Sequence, residues 1–527
     1  MRRKKIGFDV TTVLVISAIT AVGFHWHRSQ SAQLMQLDAG SLPAIGKVDS
    51  RFLSYNIEME AITGGPFWKP YSNVGRSRRP DANSSVPAGL SRSKFAYRPP
   101  LDLANRRLLA LAKALGPAYL RVSGTWANSV YFQDNDKPAM AKAPAGFSDV
   151  LTRAEWRGVI DFAQAVNAKI LTSFTISAGV RNAAGTWTPR EAGPLLQYTH
   201  SIGGDIYAAE LFNEPNLSGY GGGPKKYDAS WFARDEAAFR AFAAKAAPDM
   251  KIAGPGDVVT DNIPIPGAPT AQELMTAAPR AEFDIVSYHF YPAISQRCAP
   301  SSSPIGARRG QALTEAWLAR TDESFEEHEA LRDRYAPGAP IWLTETGGAA
   351  CGGAPWDARY LDTFRFIDQM GRLAKQGVSV VFNQTFVSGD YGIVDPTTYA
   401  PRPSYWAALL WRRLMGTTVL DAGPIHPGLH VYAQCLRGKP GGVSILAINL
   451  TKAHASLDLS APADLYALTA PKLESSTVLL NGHRLAVGPG NRIPAFGPRV
   501  LRTGRIALGP TSIDFIALPD ANNPNCL

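Results

Sequence analysis

The sequence has few of the residues that bind metal ions. It contains four cysteines and nine histidines among 527 residues, and these form no motif or close cluster with the spacing of a metal site. A metal-dependent hydrolase is therefore excluded as an interpretation, and we expect neither a metal nor another cofactor.

The chain also lacks lysine-rich runs interleaved with aromatic residues, which a groove for single-stranded nucleic acid requires. We therefore expect no nucleic-acid partner. Its 54 lysine and arginine residues outnumber 44 aspartate and glutamate residues, which gives a formal net charge of +10. Such a charge attracts anionic partners, and solubility is the alternative reason for it.

No apolar run reaches the roughly 20 residues that a membrane-spanning helix needs. Four basic residues at positions 2–5 precede an apolar run at 10–24, and Ser-Gln-Ser-Ala follows at 29–32. This pattern predicts an export signal over residues 1–32, with an uncleaved membrane anchor as the alternative. We expect a secreted or periplasmic protein that contacts a membrane only if the anchor is kept.

All four cysteines, Cys298, Cys351, Cys435 and Cys526, follow this segment. An even number of cysteines in an exported chain favours disulfide bonds, and three pairings are open to four residues. Buried free thiols are the alternative interpretation.

Eight apolar, β-branched runs alternate with segments of helical periodicity. The predicted strands are 52–59, 118–124, 169–176, 206–214, 251–258, 283–291, 340–345 and 378–386. The predicted helices are 103–115, 154–166, 190–202, 231–246, 271–278, 312–334, 360–375 and 405–414. Eight strand–helix units predict an α/β fold, a (β/α)8 TIM barrel over residues 50–416.

The sequence changes character after Gly416. Short runs broken by Gly, Pro and Asn occur at 429–436, 443–450, 477–480 and 512–517. They predict a C-terminal antiparallel β-sandwich domain over residues 417–527. A strand from residues 33–49 is a further candidate member of this sandwich.

Two glutamates, Glu214 and Glu345, each end an apolar strand-like run, and 131 residues separate them. The carboxyl ends of barrel strands meet at one mouth, so the two side chains are expected to face each other. A paired acid and nucleophile of this kind is what glycoside hydrolysis requires. Salt bridges at the barrel rim are the alternative interpretation.

A long loop is predicted at residues 64–100, directly after the first strand. Its basic residues are Lys69, Arg76, Arg78, Arg79, Arg92, Lys94 and Arg98. Long loops at a barrel mouth are commonly functional, and these arginines would suit a carboxylate or sulfate on the substrate. A solvated surface loop is the alternative.

Seven motifs occur in the order seen in one enzyme family. They occupy residues 52–58, 117–125, 210–216, 288–291, 342–346, 390–395 and 403–406, and they include Asn-Glu-Pro-Asn at 213–216. The chain resembles the family 79 glycoside hydrolases, the heparanase and β-glucuronidase family of the retaining (β/α)8 clan. The resemblance covers about residues 50–415 and extends more weakly over the C-terminal strands.

The resemblance implies that Glu214 is the general acid/base and Glu345 the nucleophile. Asn213 can then bind the sugar 2-hydroxyl, a contact that strengthens in the transition state. Tyr291, at the end of the sixth strand, is expected to donate a hydrogen bond to Glu345. His289 is either a further substrate contact or a structural histidine.

The resemblance also implies how a glucuronic acid would be recognised. Tyr391, with the backbone around Gly389, would receive its carboxylate, and Asn56, Glu58 and Gln384 would bind hydroxyls at the closed end of the pocket. Animal heparanases have an aspartate where this chain has Glu58, and a long excised linker after the first strand. These departures favour an exo-acting β-glucuronidase over an endo-acting heparanase-like enzyme.

Other interpretations remain open at this stage. Another clan member, such as an arabinofuranosidase or xylanase, would share both glutamates but not the Asp390-Tyr391 segment. A carbohydrate-binding protein that has lost catalysis would not need the intact pair. The expected partner is an acidic glycan or glucuronide substrate, and the oligomeric state is left open.

Two further expectations concern residues near the pair. Glu210 lies four residues before Glu214 on the same strand face, where a buried ion pair, with Arg121 as a candidate partner, is favoured over catalysis. Cys298 and Cys351 follow the sixth and seventh strands, so we predict disulfides 298–351 and 435–526.

Overall fold

The computed structural model describes residues 34–71, 86, 90–260, 267–459, 461–502 and 504–527. The predicted export signal at 1–32 lies outside the described residues, as do Arg76, Arg78 and Arg79 of the basic loop. Within the described ranges, no helix is both long enough and apolar enough to cross a membrane.

The described residues form strands and helices in the alternation that the sequence predicts. Through the barrel, the strands are β1 (Leu34–Leu37), β2 (Ala44–Lys47), β3 (Leu53–Glu58), β4 (Gly65–Trp68), β5 (Phe95–Arg98), β6 (Ala118–Ser123), β7 (Val130–Gln133), β8 (Asp149–Thr152), β9 (Ala168–Ser173), β10 (Ile206–Glu210), β11 (Lys251–Thr260), β12 (Ile285–Tyr291), β13 (Ile341–Thr346) and β14 (Val380–Asn383). The helices are α1 (Met59–Thr63), α2 (Arg106–Leu115), α3 (Arg153–Ala165), α4 (Ala192–Ser201), α5 (Ala229–Ala246), α6 (Ala271–Thr276), α7 (Glu315–Leu318), α8 (Arg320–Tyr335), α9 (Tyr360–Gln376) and α10 (Pro403–Leu414).

The remaining strands lie beyond the barrel. They are β15 (Met415–Leu420), β16 (Leu429–Leu436), β17 (Val443–Asn449), β18 (Ala455–Leu459), β19 (Ala463–Thr469), β20 (Leu479–Leu480), β21 (His483–Arg484), β22 (Arg499–Leu501), β23 (Gly504–Leu508) and β24 (Ser512–Leu518).

The predicted (β/α)8 barrel is confirmed. Strands β3, β6 and β9 to β14 pair in parallel and close in the order β3-β6-β9-β10-β11-β12-β13-β14. Parallel strands flanked by helices are buried on both faces, which explains their continuous apolar sequence. Helix α3 begins with a capping box between Thr152 and Glu155, a local signal that fixes its first turn.

The barrel interior begins with an apolar floor at the amino ends of the strands. Its side chains come from all the barrel strands except β3, and they are Tyr119, Leu171, Ala208, Ala253, Ile285, Trp342, Val380 and Phe382. Because alternate strand residues face the same side, the next inward-facing residues stand one layer nearer the mouth.

Several predicted elements have other bounds in the structure. The predicted strand 378–386 is shortened to Val380–Asn383. The predicted strand 206–214 ends at Glu210, and Glu214, before Pro215, has a left-handed backbone with φ 53°. The predicted helix 312–334 consists of α7 and α8, which meet at Ala319.

The C-terminal region forms the sandwich of two sheets. One sheet has the order β2-β15-β16-β17-β24-β19-β20-β21, with β22 on β19, and the other has the order β1-β18-β23. Residues before the barrel therefore add a strand to each sheet. The sandwich contacts the barrel through α9, where Tyr360 Oη donates to the carbonyl oxygen of Leu468 at 2.7 Å.

The two disulfides have the predicted pairing. Cys298 and Cys351 join the loops after β12 and β13, and their Cα atoms are 6.4 Å apart. Cys435, in β16, is joined to Cys526 near the end of the chain, with 5.3 Å between Cα atoms.

Candidate active site

The layer above the apolar floor is polar and is centred on Glu210. Arg121 Nη2 lies 2.8 Å from Glu210 Oε2, and the hydroxyls of Ser287 and Thr344 donate to Oε1 at 3.0 and 2.9 Å. Burial disfavours charge on this carboxyl, but Arg121 outweighs it and holds the pKa of Glu210 below its ordinary value. Glu210 is thus the buried ion-pair residue that the sequence predicts.

A register irregularity in β13 brings Glu345 into the same interior. Tyr288 pairs with Leu343, but His289 pairs with Glu345, so β13 carries one extra residue at this point. Bulges of this kind redirect side chains. The consecutive residues Thr344 and Glu345 can therefore both contact interior groups, Thr344 on Glu210 and Glu345 on Arg121.

Both oxygens of Glu345 accept hydrogen bonds. Arg121 Nη1 donates to Oε2 at 2.8 Å, and Tyr291 Oη donates to Oε1 at 2.6 Å. Burial and the neighbouring Glu345 raise the pKa of Tyr291 well above its usual range, so its phenol keeps the proton that it donates. These two donors hold the Glu345 carboxylate in one orientation.

Glu214 stands on a backbone that Asn128 holds in place. Asn128 Nδ2 donates to the carbonyl oxygen of Asn213 at 2.9 Å, and Asn128 Oδ1 accepts from the Asn213 amide at 2.9 Å. Glu214 follows with a left-handed backbone, φ 53°, and the residue is 8% exposed. Burial raises the pKa of Glu214 to about 7, although Arg121 opposes the shift.

His289 connects Glu214 to Arg121. Its Nε2 lies 3.1 Å from Arg121 Nη2, and its Nδ1 lies 3.1 Å from Glu214 Oε1. Arginine can only donate, so Nε2 accepts and the proton resides on Nδ1, which donates to Glu214. Burial lowers the pKa of His289, which keeps the ring neutral.

This geometry changes the interpretation of His289. The side chain has no exposed surface, and each ring nitrogen already has a partner. A direct substrate contact, one of the two expectations from the sequence, does not fit these contacts. We treat His289 as a residue that positions Glu214.

One side-chain atom from each of Glu214, His289 and Glu345 lies within 4.8 Å of the other two. Three such atoms could in principle surround a cation. The guanidinium of Arg121, 2.8 Å from Glu345, would repel a metal ion there, and His289 Nδ1 carries a proton. The surroundings of these three residues therefore do not favour metal binding.

Unsatisfied polar atoms lie on β3 and just after β14, at Asn56, Glu58 and Gln384. Asn56 Nδ2 donates to the carbonyl oxygen of Thr344 at 3.1 Å, and Gln384 Nε2 donates to Glu58 Oε1. Asn56 Oδ1, Glu58 Oε2 and Gln384 Oε1 are buried without a hydrogen-bond partner. Burial, followed by the nearby Glu345, raises the pKa of Glu58 well above its usual range. Buried polar atoms without partners are costly, and hydroxyl groups of a ligand would satisfy them.

The loop after β14 brings Tyr391 close to Glu58. Tyr391 packs in a small cluster with Tyr291 and Val258, and burial, followed by Glu58 and Glu345, raises the pKa of its phenol well above the usual range. Gly389 has φ 65°, and a Cβ there would lie 2.7 Å from the Tyr391 ring. A larger residue at this position would therefore displace Tyr391.

Asn213 uses its carbonyl oxygen within the protein. Asn213 Oδ1 accepts from Arg121 Nη2 at 2.9 Å, and the amide group of Asn213 donates to the Glu214 carboxyl. The predicted site residues thus lie on β3, β12, β13 and the segments after β10 and β14, around one mouth of the barrel.

Sequence reasoning missed three residues that shape the site. Arg297 forms an ion pair with Asp390, next to Tyr391, and also donates to the carbonyl oxygen of Gly353 at 2.7 Å. Arg402 donates to the carbonyl oxygens of Gly389 and Gly392 at 2.9 and 2.8 Å. Asn128 follows β6 in an irregular turn, and no spacing signal in the sequence links these residues to the glutamates.

Comparisons with known proteins agree with this arrangement. The family model described as glycosyl hydrolase family 79, N-terminal domain, matches residues 99–371. Heparanase-like protein 1 of Arabidopsis thaliana is 27% identical over 488 residues, covering 81% of this chain and 86% of that protein. Baicalin-beta-D-glucuronidase of Scutellaria baicalensis is 30% identical over 210 residues, covering 38% of this chain and 40% of that protein.

A solved structure shares the fold at low sequence identity. The 4-O-alpha-L-rhamnosyl-beta-D-glucuronidase of Fusarium oxysporum superposes with a TM-score of 0.61 at 15% identity, covering 92% of this chain and 100% of that one. The family model spans just over half of the chain, and it includes the strands that carry Arg121, Glu210 and Glu345. The chain therefore belongs to glycosyl hydrolase family 79 and is a glycoside hydrolase.

Proposed function

We propose that this protein is a retaining, exo-acting β-glucuronidase, with Glu345 as nucleophile and Glu214 as general acid/base. The observation that carries the mechanism is the distance between the two carboxylates, since one oxygen of each lies within 4.8 Å of the other. Retaining enzymes have carboxyl groups about 5 to 5.5 Å apart, whereas inverting enzymes leave room for a water molecule.

The two carboxyl groups have surroundings that suit different roles. Glu345 accepts hydrogen bonds from Arg121 and Tyr291, and these bonds orient its carboxylate for attack on the anomeric carbon. Glu214, with a pKa raised by burial to about 7, retains a proton at weakly acidic pH. Because His289 donates to Glu214 Oε1, that proton resides on Oε2.

In the first step, Glu345 forms a bond to the anomeric carbon while the leaving oxygen departs with the proton of Glu214. The ionised Glu214 then removes a proton from a water molecule that attacks the same carbon. Glu345 leaves as a carboxylate, and Glu214 is protonated again. The neutral His289 stabilises Glu214 in its charged form between the two steps.

The charges around Tyr391 support a substrate that carries a carboxylate. Three arginines, Arg98, Arg297 and Arg402, lie around the Tyr391 loop, together with Asp357, Asp390 and Asp395. The ion pairs of Arg297 and Arg402 fix the loop, and guanidinium donors of this kind suit a carboxylate bound near Tyr391. The Scutellaria relative is named a β-D-glucuronidase, which agrees with this assignment.

Exo action is supported by the closed end of the site. Asn56, Glu58 and Gln384 are almost fully buried, and an oxygen of each has no hydrogen-bond partner, so the hydroxyls of a terminal sugar would satisfy them. A chain that continued past this sugar would have to displace them. An endo-acting heparanase-like activity is the second candidate, because Arg98 of the basic loop lies near Asp390.

We also propose an exported enzyme whose catalytic barrel spans residues 50–416 and whose sandwich spans 417–527. The two disulfides support the first point, because such bonds persist in oxidising compartments.

A panel of 4-nitrophenyl glycosides tests the substrate assignment. The β-glucuronide should be hydrolysed at least a hundredfold faster than the β-glucoside, β-xyloside or α-arabinofuranoside, because a neutral sugar leaves buried donors unpaired. Proton NMR of the first product tests the mechanism: β-glucuronic acid should form before mutarotation. Equal rates on the β-glucoside would refute the substrate class, and an α-product would refute retention.

A further inference from the structure

A small pocket opens beside the segment that carries Glu214. It encloses about 210 Å³, and its walls include Tyr220, which follows Glu214 by six residues, Trp126 from the turn after β6, and Phe147 from the loop before β8. Ser129 and Ser148 line it as well. None of the pocket walls described by the structure carries a charged side chain.

The turn that lines the pocket also makes hydrogen bonds to the backbone next to Glu214. The turn Thr125–Ser129 contributes Trp126 to the pocket, and it also contributes Asn128, which makes two hydrogen bonds to the backbone of Asn213. Gly221 packs against the same turn so closely that a Cβ there would lie 2.6 Å from Asn128 Nδ2. A group seated in the pocket would therefore have a fixed position relative to Glu214.

The pocket lies between the turn after β6 and the segment that follows Glu214. Asn56, Glu58 and Gln384 lie on β3 and just after β14, which are neighbours in the barrel. Strand β10, which leads to Glu214 and Tyr220, stands three strands away from β3, and β6, which leads to Trp126, stands between them. The leaving oxygen has to contact Glu214, so the group attached to it extends from the closed end toward this side.

Two side chains of the pocket have unused binding capacity. Tyr220 exposes half of its surface, 50%, as a flat aromatic face at the rim. Trp126 is only 6% exposed, yet its Nε1 has no hydrogen-bond partner. A buried N–H without an acceptor is destabilising, and an oxygen of a ligand could satisfy it.

We propose that this pocket binds the leaving group of the substrate, an uncharged ring that packs on Tyr220 and accepts a hydrogen bond from Trp126 Nε1. The inference rests on the proposed β-glucuronidase function and adds the class of group on the other side of the scissile bond. Both a phenol and a neutral sugar have a flat apolar face and an oxygen acceptor, so they share the required chemistry.

The test compares leaving groups within each variant. Methyl β-glucuronide has no ring beyond the scissile oxygen, phenyl β-glucuronide has an aromatic ring, and a disaccharide of glucuronic acid β-linked to galactose has a neutral sugar. The measured quantity is kcat/KM for each ring-bearing substrate divided by kcat/KM for the methyl glycoside. Tyr220→Ala should lower this ratio at least fivefold for the ring that the pocket binds.

Trp126→Phe removes the N–H and keeps an aromatic ring, so it should lower the ratio about fivefold for a ring with a well-placed oxygen. A larger loss for the disaccharide assigns the pocket to a sugar, and a larger loss for the phenyl compound assigns it to an aromatic aglycone. Tyr97→Ala is the matched control, because Tyr97 is similarly exposed, at 43%, and is not among the pocket walls. It should leave both ratios at the wild-type value.

The outcomes separate the inference from the function on which it rests. If the wild type hydrolyses β-glucuronides but both ratios are unchanged in Tyr220→Ala and Trp126→Phe, the pocket assignment is wrong and the proposed function stands. A wild type that prefers a sulfated leaving group tenfold over the neutral one also overturns the assignment. If the wild type hydrolyses no β-glucuronide, the proposed function itself fails. Melting temperatures of both variants near wild type exclude misfolding as the cause of a lost ratio.

Discussion

Replacing Glu214 by alanine removes the proposed proton donor while leaving the proposed nucleophile intact. A donor with a pKa of about 7 is about nine-tenths protonated at pH 6 and about one-tenth protonated at pH 8. For a glucuronide with a poor leaving group, wild-type kcat/KM should therefore fall about tenfold per pH unit above pH 7. The fall has the sign of a group that must be protonated to act.

The size of the loss in Glu214→Ala should depend on the leaving group. A positioned general acid contributes about 10²- to 10⁴-fold, so methyl β-glucuronide should lose activity in that range. With 2,4-dinitrophenyl β-glucuronide the leaving group needs no proton, and formation of the glycosyl-enzyme should slow by less than about tenfold. Hydrolysis of the glycosyl-enzyme should be slow, because the variant lacks the general base, and azide should accelerate the breakdown of this intermediate.

The assay is steady-state and pre-steady-state kinetics of both substrates between pH 4.5 and pH 9. The fall in kcat/KM above pH 7 that we expect for the wild type should be absent in Glu214→Ala with the activated substrate. Equal losses on both substrates, without rescue by azide, would refute the assignment of Glu214 as acid/base. An alkaline decline that persists in the variant would show that another group carries it.

Four further predictions concern other parts of the molecule. Glu345→Gln should abolish turnover of both activated and unactivated β-glucuronides, and turnover near the wild-type rate without any added nucleophile would contradict a nucleophilic role. Tyr391→Phe should lower kcat/KM for the β-glucuronide, so that the ratio of kcat/KM for the β-glucuronide to that for the β-glucoside falls roughly tenfold. Burial raises the pKa of Glu236 to about 8, so its folded state holds a proton that the unfolded state loses near pH 4.3; the stability this gives is present below that pH and is lost as pH rises to 8. Urea unfolding should therefore show that the free energy of unfolding of Glu236→Gln rises relative to that of the wild type by about 1.4 kcal/mol per pH unit between about pH 4.3 and pH 8. A difference that does not change with pH would show that Glu236 is ionised in the fold. Cys435→Ser opens a disulfide that spans 91 residues and should destabilise the sandwich by about 2 to 4 kcal/mol, seen as a melting temperature below that of the oxidised wild type.

The barrel could be predicted from the sequence because its strands are buried on both faces. Strands β6 and β12, for example, are apolar along most of their length, and such runs are distinct from the helices between them. The sandwich was harder to predict. Strand β18 has only five residues with alternating burial, and β22 is largely exposed, so neither forms a run that stands out from a loop.

The two glutamates of the site could also be predicted, because each lies near the end of a barrel strand and the fold itself brings strand ends together. The partners that orient them could not. Asn128 contacts Asn213 across 85 residues, and Arg297 contacts Asp390 across 93. These pairs form only when irregular loops fold against each other, and a single sequence carries no periodic signal for such contacts.

Arg121 explains how two glutamates at one barrel mouth acquire different properties. Its guanidinium donates to Glu210 and Glu345, and it reaches Glu214 only indirectly, through His289 and Asn213. The charge-stabilising hydrogen bonds therefore go to Glu345, whereas for Glu214 burial outweighs the effect of Arg121 and the pKa is raised. Glu210, which takes the other side of the guanidinium, fixes its orientation from the layer below. The proposed division of roles thus depends on one buried residue of β6, Arg121, because it pairs with Glu210 and also donates to Glu345.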